Sequence, residues 1–370
     1  MNMTRKEFIR KFFHMGGACM FCLAGGSWLL KACVPFEEAV EEEPVKVKEV
    51  DPATWRPAYL QMEEEGRFAG RIEKVYGILE NCELCPRRCR VNRLAGETGF
   101  CRAPGKAVVY THQPHFGEEL PLVGREGSGT IFFSNCSLRC VFCQNWPIAH
   151  EGRGREISDK ELAEMMLDLQ RKGCHNINLV TPTHVLPNIL NATRIAGQKG
   201  LNLPLCYNTS GYELTEMIDL LDGIVDIYLP DLKFMDGDEA ERYNLAAAYD
   251  YPQLAREAIS AMNRQVGRLV TDQKGIALRG LMIRHLVMPN RVAGTESFVR
   301  WVAENLSKDT YVNIMSQYRV EYKAFEYEPI ARAITSEEYV EAMEWAFDAG
   351  LTNLDERSVA NLALHRQLVD

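Results

Sequence analysis

Phe133-Ser-Asn-Cys-Ser-Leu-Arg-Cys-Val-Phe-Cys-Gln-Asn-Trp146 is the stretch that says most about the fold and the chemistry of this chain. Its three cysteines, Cys136, Cys140 and Cys143, follow a C-x3-C-x2-C spacing. Thiolates are soft ligands, and three so close in sequence can bind one metal centre. A four-iron cluster held by three thiolates keeps one iron free of protein ligands. The stretch therefore predicts an iron–sulfur cluster with one open coordination site.

The residues before this stretch predict how the cysteines are presented. Residues 127–133 combine a turn of small residues with a short apolar run, which is the pattern of a β-strand. The cysteines then lie in the loop at the C-terminal end of that strand, where βα barrels place their active sites. A structural zinc site is the alternative. It requires a fourth ligand, and His150 is the nearest candidate.

Apolar runs typical of buried strands alternate with helical patterns after the cysteines. Besides the strand near Ile131, strands are predicted at residues 176–180, 203–207, 224–229, 281–288 and 311–315. One helix is predicted after the capping box of Ser158 and Glu161, and others at residues 187–199, 213–221, 239–247, 252–266, 296–305 and 337–349. This alternation implies parallel strands with right-handed crossovers. Six units are too few for a closed eight-stranded barrel.

A second cysteine cluster opens the folded part of the chain. Cys82, Cys85 and Cys89 follow a C-x2-C-x3-C spacing, and Cys101 comes after a turn at residues 96–99. Four thiolates can complete the shell of a structural zinc ion or of an iron–sulfur cluster, and the spacing does not distinguish the two. The predicted fold class is therefore α/β, a partial (β/α)6 TIM-like barrel with a small N-terminal metal-binding module that contains four cysteines.

The composition limits the class of partner. The 370 residues are 46% hydrophobic, and the formal net charge of −9 leaves no basic stripe of the kind that binds nucleic acid. We therefore expect no nucleic-acid partner. Seven of the 12 cysteines fall in the two clusters, which is typical of metal sites rather than of a disulfide framework.

Polar residues follow the predicted strands at their C-terminal ends. They form the sequences Thr181-Pro-Thr-His184, Asn208-Thr-Ser210 and Asp231-Leu-Lys233, and the next predicted strand begins near Arg284-His285. Taken singly, such residues are commonly helix caps or partners of buried backbone groups. As a series at successive strand ends, they favour a cofactor pocket facing the cysteines.

From about residue 78 to residue 355 the chain resembles the radical S-adenosylmethionine (SAM) superfamily. It is similar in particular to an uncharacterised branch of pyruvate formate-lyase activating enzyme-related proteins with a cysteine-rich N-terminal extension. Besides the C-x3-C-x2-C motif, the matching stretches are residues 82–89, 115–119, 128–133, 176–184, 207–212, 231–236 and 284–286.

The resemblance implies a role for each matching residue. Cys136, Cys140 and Cys143 would hold a [4Fe–4S] cluster whose free iron binds SAM, and Phe142 would lie near the adenine. The residues that would approach the sugar or methionyl groups are Asn208, Ser210, Asp231, Lys233 and Arg284. Activating enzymes carry a Gly-Gly-Glu turn that holds the methionyl amino group. Thr181-Pro-Thr-His184 lies in its place here, with Thr181 as the favoured substitute. His184 is either a second substitute or is directed into the substrate space, where it could serve proton transfer.

The activity implied is reductive cleavage of SAM to a 5′-deoxyadenosyl radical, which removes a hydrogen atom from an unknown substrate. A protein glycine is one candidate substrate, as for the activating enzymes. The implied electron donor is a low-potential flavodoxin or ferredoxin. Two other classes stay open: a non-catalytic iron–sulfur electron-transfer protein and a zinc-stabilised binding protein. The polar strand-end series argues against the first of these.

The N-terminus has the layout of an export signal. Residues 4–11 carry four cations, residues 12–30 are mostly apolar, and an acidic stretch follows. The segment resembles a twin-arginine signal with one lysine, and Leu30-Lys-Ala-Cys33 resembles a lipoprotein cleavage box. Export or membrane association through this segment and a retained leader both remain open, although the supply of SAM and low-potential electrons favours cytoplasmic activity.

The chain thus divides into five predicted parts. These are a signal-like or anchor segment (1–33), a linker and lead-in (34–74), a Cys-rich metal module (75–125), a radical SAM partial barrel (126–356) and a C-terminal tail (357–370).

Overall fold

A nine-stranded sheet organises the part of the chain that this computed structural model describes, residues 51–245 and 248–369. The strands are β1 (Ala107–His115), β2 (Ser128–Phe133), β3 (Arg155–Ile157), β4 (Ile177–Val180), β5 (Leu205–Thr209), β6 (Ile227–Pro230), β7 (Val270–Thr271), β8 (Ala277–Leu286) and β9 (Tyr311–Met315). Their order is β3-β1-β2-β4-β5-β6-β8-β7, and β9 also pairs with β8. The predicted signal or anchor segment, residues 1–33, lies outside the described residues.

Six of the strands run parallel to their neighbours, in the order β2-β4-β5-β6-β8-β9. They are the strands that the apolar runs predicted, so the mixed α/β organisation around a central sheet is confirmed. Parallel strands share one direction, and their C-terminal ends therefore meet at one edge of the sheet. Val180 pairs with Asn208, and Asp231 forms a bridge with Arg284 at that edge.

Helices connect the strands and flank the sheet in sequence. They are α1 (Ala58–Glu64), α2 (Phe68–Gly77), α3 (Leu120–Val123), α4 (Trp146–Ala149), α5 (Asp159–Arg171), α6 (Leu186–Gln198), α7 (Thr215–Asp219), α8 (Gly237–Tyr243), α9 (Tyr251–Val266), α10 (Thr295–Asn305), α11 (Ser336–Asp348) and α12 (Glu356–Val369). Short 3-10 helices occur at Ile78–Asn81, Arg93–Ala95, Thr183–Val185, Pro289–Arg291, Ala324–Glu326 and Glu328–Ile330. The predicted capping box of Ser158 and Glu161 is present at the start of α5, and Thr335 and Glu338 form another at the start of α11. None of the described helices is long and apolar enough to cross a membrane.

The structure differs from the predicted division of the chain in three places. The predicted linker and lead-in contains α1 and most of α2, whose Tyr59, Phe68 and Val75 are fully buried. The predicted boundary at residue 125 falls inside one sheet, because β1 pairs antiparallel with β2. The predicted C-terminal tail forms α12.

The outer edge of β9 is covered by the chain that leads into α12. The N–H of Val312 donates to the carbonyl of Asn353 over 3.1 Å, and the N–H of Asp355 donates to the carbonyl of Val312 over 2.9 Å. The N–H of Ile314 donates to the Ser358 hydroxyl over 3.0 Å. Backbone groups that an edge strand would expose are thus paired within the chain.

Candidate cofactor and metal site

The loop that carries Cys136, Cys140 and Cys143 begins where β2 ends and is held by two distant segments. The Val141 N–H donates to the Tyr243 carbonyl over 2.9 Å, and the Val141 carbonyl accepts from the Lys323 N–H over 2.9 Å. These backbone bonds fix the path of the loop between the second and third cysteine.

All three cysteines line one cavity of about 280 Å³ at the C-terminal ends of the parallel strands. The predicted cofactor-binding residues that line the same cavity are Phe142, Thr181, Asn208, Ser210, Asp231, Lys233 and Arg284. The structure thus brings together residues that are up to about 150 positions apart in the sequence. That these side chains bind a cofactor stays a prediction.

Phe142 forms an apolar wall of this cavity. Its side chain is buried, and its ring packs edge-on against Phe234 with the ring centroids 5.9 Å apart. Tyr318 lies on another side, with a centroid distance of 6.2 Å. Because two rings fix its position, Phe142 offers a preformed face to a planar group.

Arg284 is the centre of a charged network at the strand ends. Its Nε donates to Asp231 Oδ1 over 2.7 Å, and its terminal nitrogen donates to Asn208 Oδ1 over 2.6 Å. Lys233 Nζ donates to Asp231 Oδ2 over 2.5 Å. Burial alone would raise the pKa of Asp231, but the charges of Arg284 and Lys233 outweigh it and lower the pKa below its usual value. Asp231 is therefore ionised and locks two cations in place.

Two buried carboxyl groups that the sequence analysis did not assign lie behind Arg284. Glu118 Oε2 lies 3.3 Å from Arg284, and Glu119 Oε1 accepts from the Asn313 amide over 2.9 Å. Burial raises the pKa of Glu119 to about 7. The only signal in the sequence was the match of residues 115–119 to the resembled branch, which gave these residues no role.

Thr181 has a strained backbone at the edge of the cavity. Its φ of 62° lies in the left-handed region, which β-branched residues rarely adopt. Its N–H donates to the Asn208 carbonyl over 2.9 Å, which ties the ends of β4 and β5 together. Strain of this kind persists only where the surroundings enforce it, and it is frequent at functional sites.

Glu213 is a third buried acid to which the sequence gave no role. Its Oε1 accepts hydrogen bonds from the hydroxyl groups of Thr183 over 2.6 Å and of Tyr207 over 3.4 Å, and another from the Thr209 hydroxyl. Its Oε2 has no hydrogen-bond partner among the described residues. Burial raises the pKa of Glu213 to about 7. Thr209 lines the cavity, so Glu213 supports its wall from behind.

His184, predicted to help hold the methionyl amino group, lies elsewhere. Its ring Nε2 is 2.7 Å from the Ser134 carbonyl, and the residue is buried. It lines a second, smaller pocket together with Cys82, Cys85, Cys89 and Cys101. The turn after β4 directs Thr181 to one cysteine cluster and His184 to the other.

His150, the proposed fourth ligand of a zinc site, has protein partners on both ring nitrogens. Its Nε2 lies 3.1 Å from the Cys140 carbonyl, and Arg139 Nε donates to its Nδ1 over 3.5 Å. Burial, followed by the Arg139 charge, lowers the pKa of His150 to about 4. Both ring nitrogens of His150 are thus occupied by hydrogen bonds, and neither is free to bind a metal held by the cysteine thiols.

Comparison with known proteins indicates the class of this site. Residues 130–264, which include the three cysteines and the ends of β4, β5 and β6, match the family model described as the Radical SAM superfamily. An uncharacterized protein of Methanocaldococcus jannaschii is 35% identical over 286 residues, which cover 75% of this chain and 77% of that protein. Neither match distinguishes a branch within the superfamily or names a substrate.

Proposed function

The chain belongs to the radical SAM superfamily, and we propose that Cys136, Cys140 and Cys143 hold its catalytic [4Fe–4S] cluster. Membership implies this cluster and SAM. When bound, the pair supplies one-electron reductive cleavage of SAM to methionine and a 5′-deoxyadenosyl radical that removes a hydrogen atom from the substrate. The observation that carries the proposal is the shared cavity: three thiols and the polar strand ends face one space.

The residues present fit both groups. Three cysteines line the cavity, and thiolates are the soft ligands that such a cluster requires. The cationic donors Lys233 and Arg284 suit the methionyl carboxylate, and Asn208 and Asp231 offer oxygens to the ribose hydroxyls. The buried face of Phe142 suits the adenine.

We assign the methionyl amino group to Thr181. A threonine hydroxyl and a backbone carbonyl each accept hydrogen bonds from an ammonium group. Thr181 lines the cavity with a backbone that its neighbours hold in an unfavourable conformation. His184 is left out of this assignment because it lines the other pocket.

The small cavity favours a substrate that only reaches its mouth, such as a glycine on an extended protein chain. About 280 Å³ is slightly below the usual volume of pockets that enclose one small molecule. SAM would fill most of it, and the substrate would approach the mouth. Gln317 lines the cavity and accepts at its carbonyl from the Gln144 side chain over 3.0 Å, so the segment after β9 forms one wall of that mouth. An activating-enzyme-like reaction on a sheet that curves into a partial barrel is our working proposal.

The electron source that we propose is a flavodoxin or ferredoxin of low potential, and we expect the reaction to run in the cytoplasm. Both follow from the need for a low-potential electron and a SAM supply. No nucleic-acid partner is proposed, because the acidic chain offers no basic stripe.

The test is anaerobic reconstitution of the full chain with iron and sulfide, reduction, and addition of SAM. We expect 5′-deoxyadenosine and methionine from the wild type and none from a variant with Cys136, Cys140 and Cys143 changed to Ala. Cys174→Ala, a buried cysteine that does not line the cavity, is the matched control and retains the activity. Product from the triple variant would refute the assignment of the cluster.

A further inference from the structure

The four cysteines of the N-terminal module surround one small pocket. Cys82, Cys85, Cys89 and Cys101 line it together, and three of them are buried. The pocket requires a glycine at residue 99, because a Cβ there would lie 2.7 Å from both the Cβ and the Sγ of Cys89. Chain packing of this kind holds the thiols inward whether or not an ion is bound.

The backbone beside these cysteines is strained. Arg88, Arg90 and Arg102 each adjoin one of them and have φ values of 40°, 58° and 62°. Non-glycine residues in the left-handed region are uncommon, and three in one short module need a common cause. Turning four side chains toward one point supplies that cause.

Hydrogen bonds to sulfur occur in both cysteine clusters. The Phe100 N–H donates to Cys89 Sγ over 3.4 Å, and the Leu138 N–H donates to Cys136 Sγ over 3.4 Å. Arg93, 2% exposed, points a guanidinium nitrogen at Cys82 Sγ over 3.9 Å. Such donors compensate negative charge on ligating thiolates and adjust the potential of iron–sulfur clusters.

Two short hydrogen-bonded routes join the module to the catalytic cysteines. In the first, Arg139, which lies between Cys136 and Cys140 in sequence, donates to the Phe100 carbonyl over 3.3 Å. Phe100 is the residue whose N–H contacts Cys89.

In the second route, Arg93 donates to the His184 carbonyl over 2.8 Å. The His184 ring contacts the Ser134 carbonyl, two residues before Cys136. A zinc ion that only stabilised the module would need no such connection to the catalytic loop.

We propose that Cys82, Cys85, Cys89 and Cys101 bind a second [4Fe–4S] cluster that relays electrons to the cluster on Cys136, Cys140 and Cys143. The relay role rests on the proposed function, whereas the binding site does not. A ferredoxin- or flavodoxin-class donor gives one electron and is oxidised, while the second cluster goes from its 2+ to its 1+ state. That electron then passes to the catalytic cluster, which is reduced as the second cluster returns to 2+. No bond or proton changes hands in either step.

The binding site is tested in the full chain with Cys136, Cys140 and Cys143 changed to Ala. After anaerobic reconstitution we expect about four iron atoms per chain, against about eight in the wild type, and an electron paramagnetic resonance signal on reduction. Zinc in place of iron, or a chain with no metal, would overturn the proposal. Iron in this variant together with a wild type that does not cleave SAM would instead overturn the proposed function alone.

The relay is tested with Cys85→Ala and Cys89→Ala combined, because a single change would leave three thiolates, which are enough to hold a four-iron cluster. We expect the catalytic cluster to bind iron as before but to be reduced by a flavodoxin about tenfold more slowly, in line with lost contacts around other metal sites. An unchanged rate would refute the relay.

The wild type provides a measurement that does not depend on a folded variant. With both clusters reduced, their magnetic coupling should broaden each signal relative to the signal of the triple Ala variant. Two uncoupled signals would place the clusters too far apart to exchange electrons, and the relay would be wrong.

Discussion

At the scale of single residues, the strain at Thr181 separates stability from cofactor binding. We expect Thr181→Gly to raise the free energy of unfolding by about 1 kcal/mol, since glycine adopts a φ of 62° without strain although it costs entropy. SAM affinity should fall, because the hydroxyl is lost and the carbonyl is less firmly held. Thermal unfolding and calorimetric SAM titration measure the two effects.

Thr181→Val is the matched control for this prediction. Valine is also β-branched, so the backbone strain remains and only the hydroxyl is replaced. We expect weaker SAM binding with little gain in stability. Full SAM affinity in both variants would move the amino-binding role to another residue.

Glu213 predicts a pH dependence of stability. Its pKa is raised to about 7, so between pH 4.5 and 7 the folded chain keeps a proton that the unfolded chain has released. Stability therefore falls as pH rises through this window, by at most about 1.4 kcal/mol per pH unit for this one group. We expect Glu213→Gln to gain stability relative to the wild type as pH rises from 5 to about 7, and the difference to level off at higher pH.

The measurement is thermal unfolding of both chains at several pH values. Only the difference between them reports on Glu213, because burial also raises the pKa of Glu119 and Asp226 to about 7. Exposed Glu257→Gln is the control and should leave the pH profile unchanged. A constant difference across the range would mean that Glu213 is ionised throughout.

At the scale of elements, the sequence predicted strands well where apolar runs were long. β9 has the predicted bounds, whereas β6 begins at Ile227 rather than at residue 224. Ile224 and Val225 are buried in the turn before the strand, and burial alone does not distinguish a turn from a strand. β1 was not predicted, because its second half is polar and contains Pro114.

The same limits of sequence patterns explain which residues of the candidate site could be predicted. Strand-end residues such as Asn208 and Asp231 could be predicted, because the direction of parallel strands places them at one edge. Glu118 and Glu119 could not, because they follow β1 in a connection whose path depends on tertiary packing. The separation of Thr181 from His184 depends on the 3-10 turn Thr183–Val185, which no periodic pattern signals.

Arg93 connects two elements, and its loss should loosen the module. The guanidinium donates to the Pro104 carbonyl over 3.2 Å and to the His184 carbonyl over 2.8 Å. We expect Arg93→Met to lower the free energy of unfolding by roughly 2–4 kcal/mol, because buried carbonyls lose a charged donor. Thermal unfolding measures this effect, and exposed Arg125→Met is the control. Equal melting temperatures would show that the module is held by other contacts.

Across the molecule, both cysteine clusters are connected to the same sheet: one precedes β1 in the chain, and the other follows β2. β1 begins six residues after Cys101, the last cysteine of the Cys-rich module, and pairs with β2, which leads into the catalytic loop. The module and the parallel strands also belong to one compact unit, Lys46–Asp370. The division predicted from the sequence put the Cys-rich module (75–125) and the partial barrel (126–356) in separate parts. Strand pairing between them was not visible in either motif.

The covered edge of β9 also has a consequence for self-association. A chain cut after Gly350 would lose the partners of Val312 and Ile314 and leave a free strand edge, the usual template for intermolecular β-pairing. We expect this truncated chain to aggregate with a strong dependence on protein concentration, measured by light scattering. Ser358→Ala removes the contacts of the Ser358 hydroxyl to Ile314 and Asn313 but keeps both backbone contacts of Val312, so a solution of this variant should not scatter light. The segment from Asn353 to Ser358 thus protects the chain against fibre-like assembly. A truncated chain that showed no increase in light scattering would disprove this role.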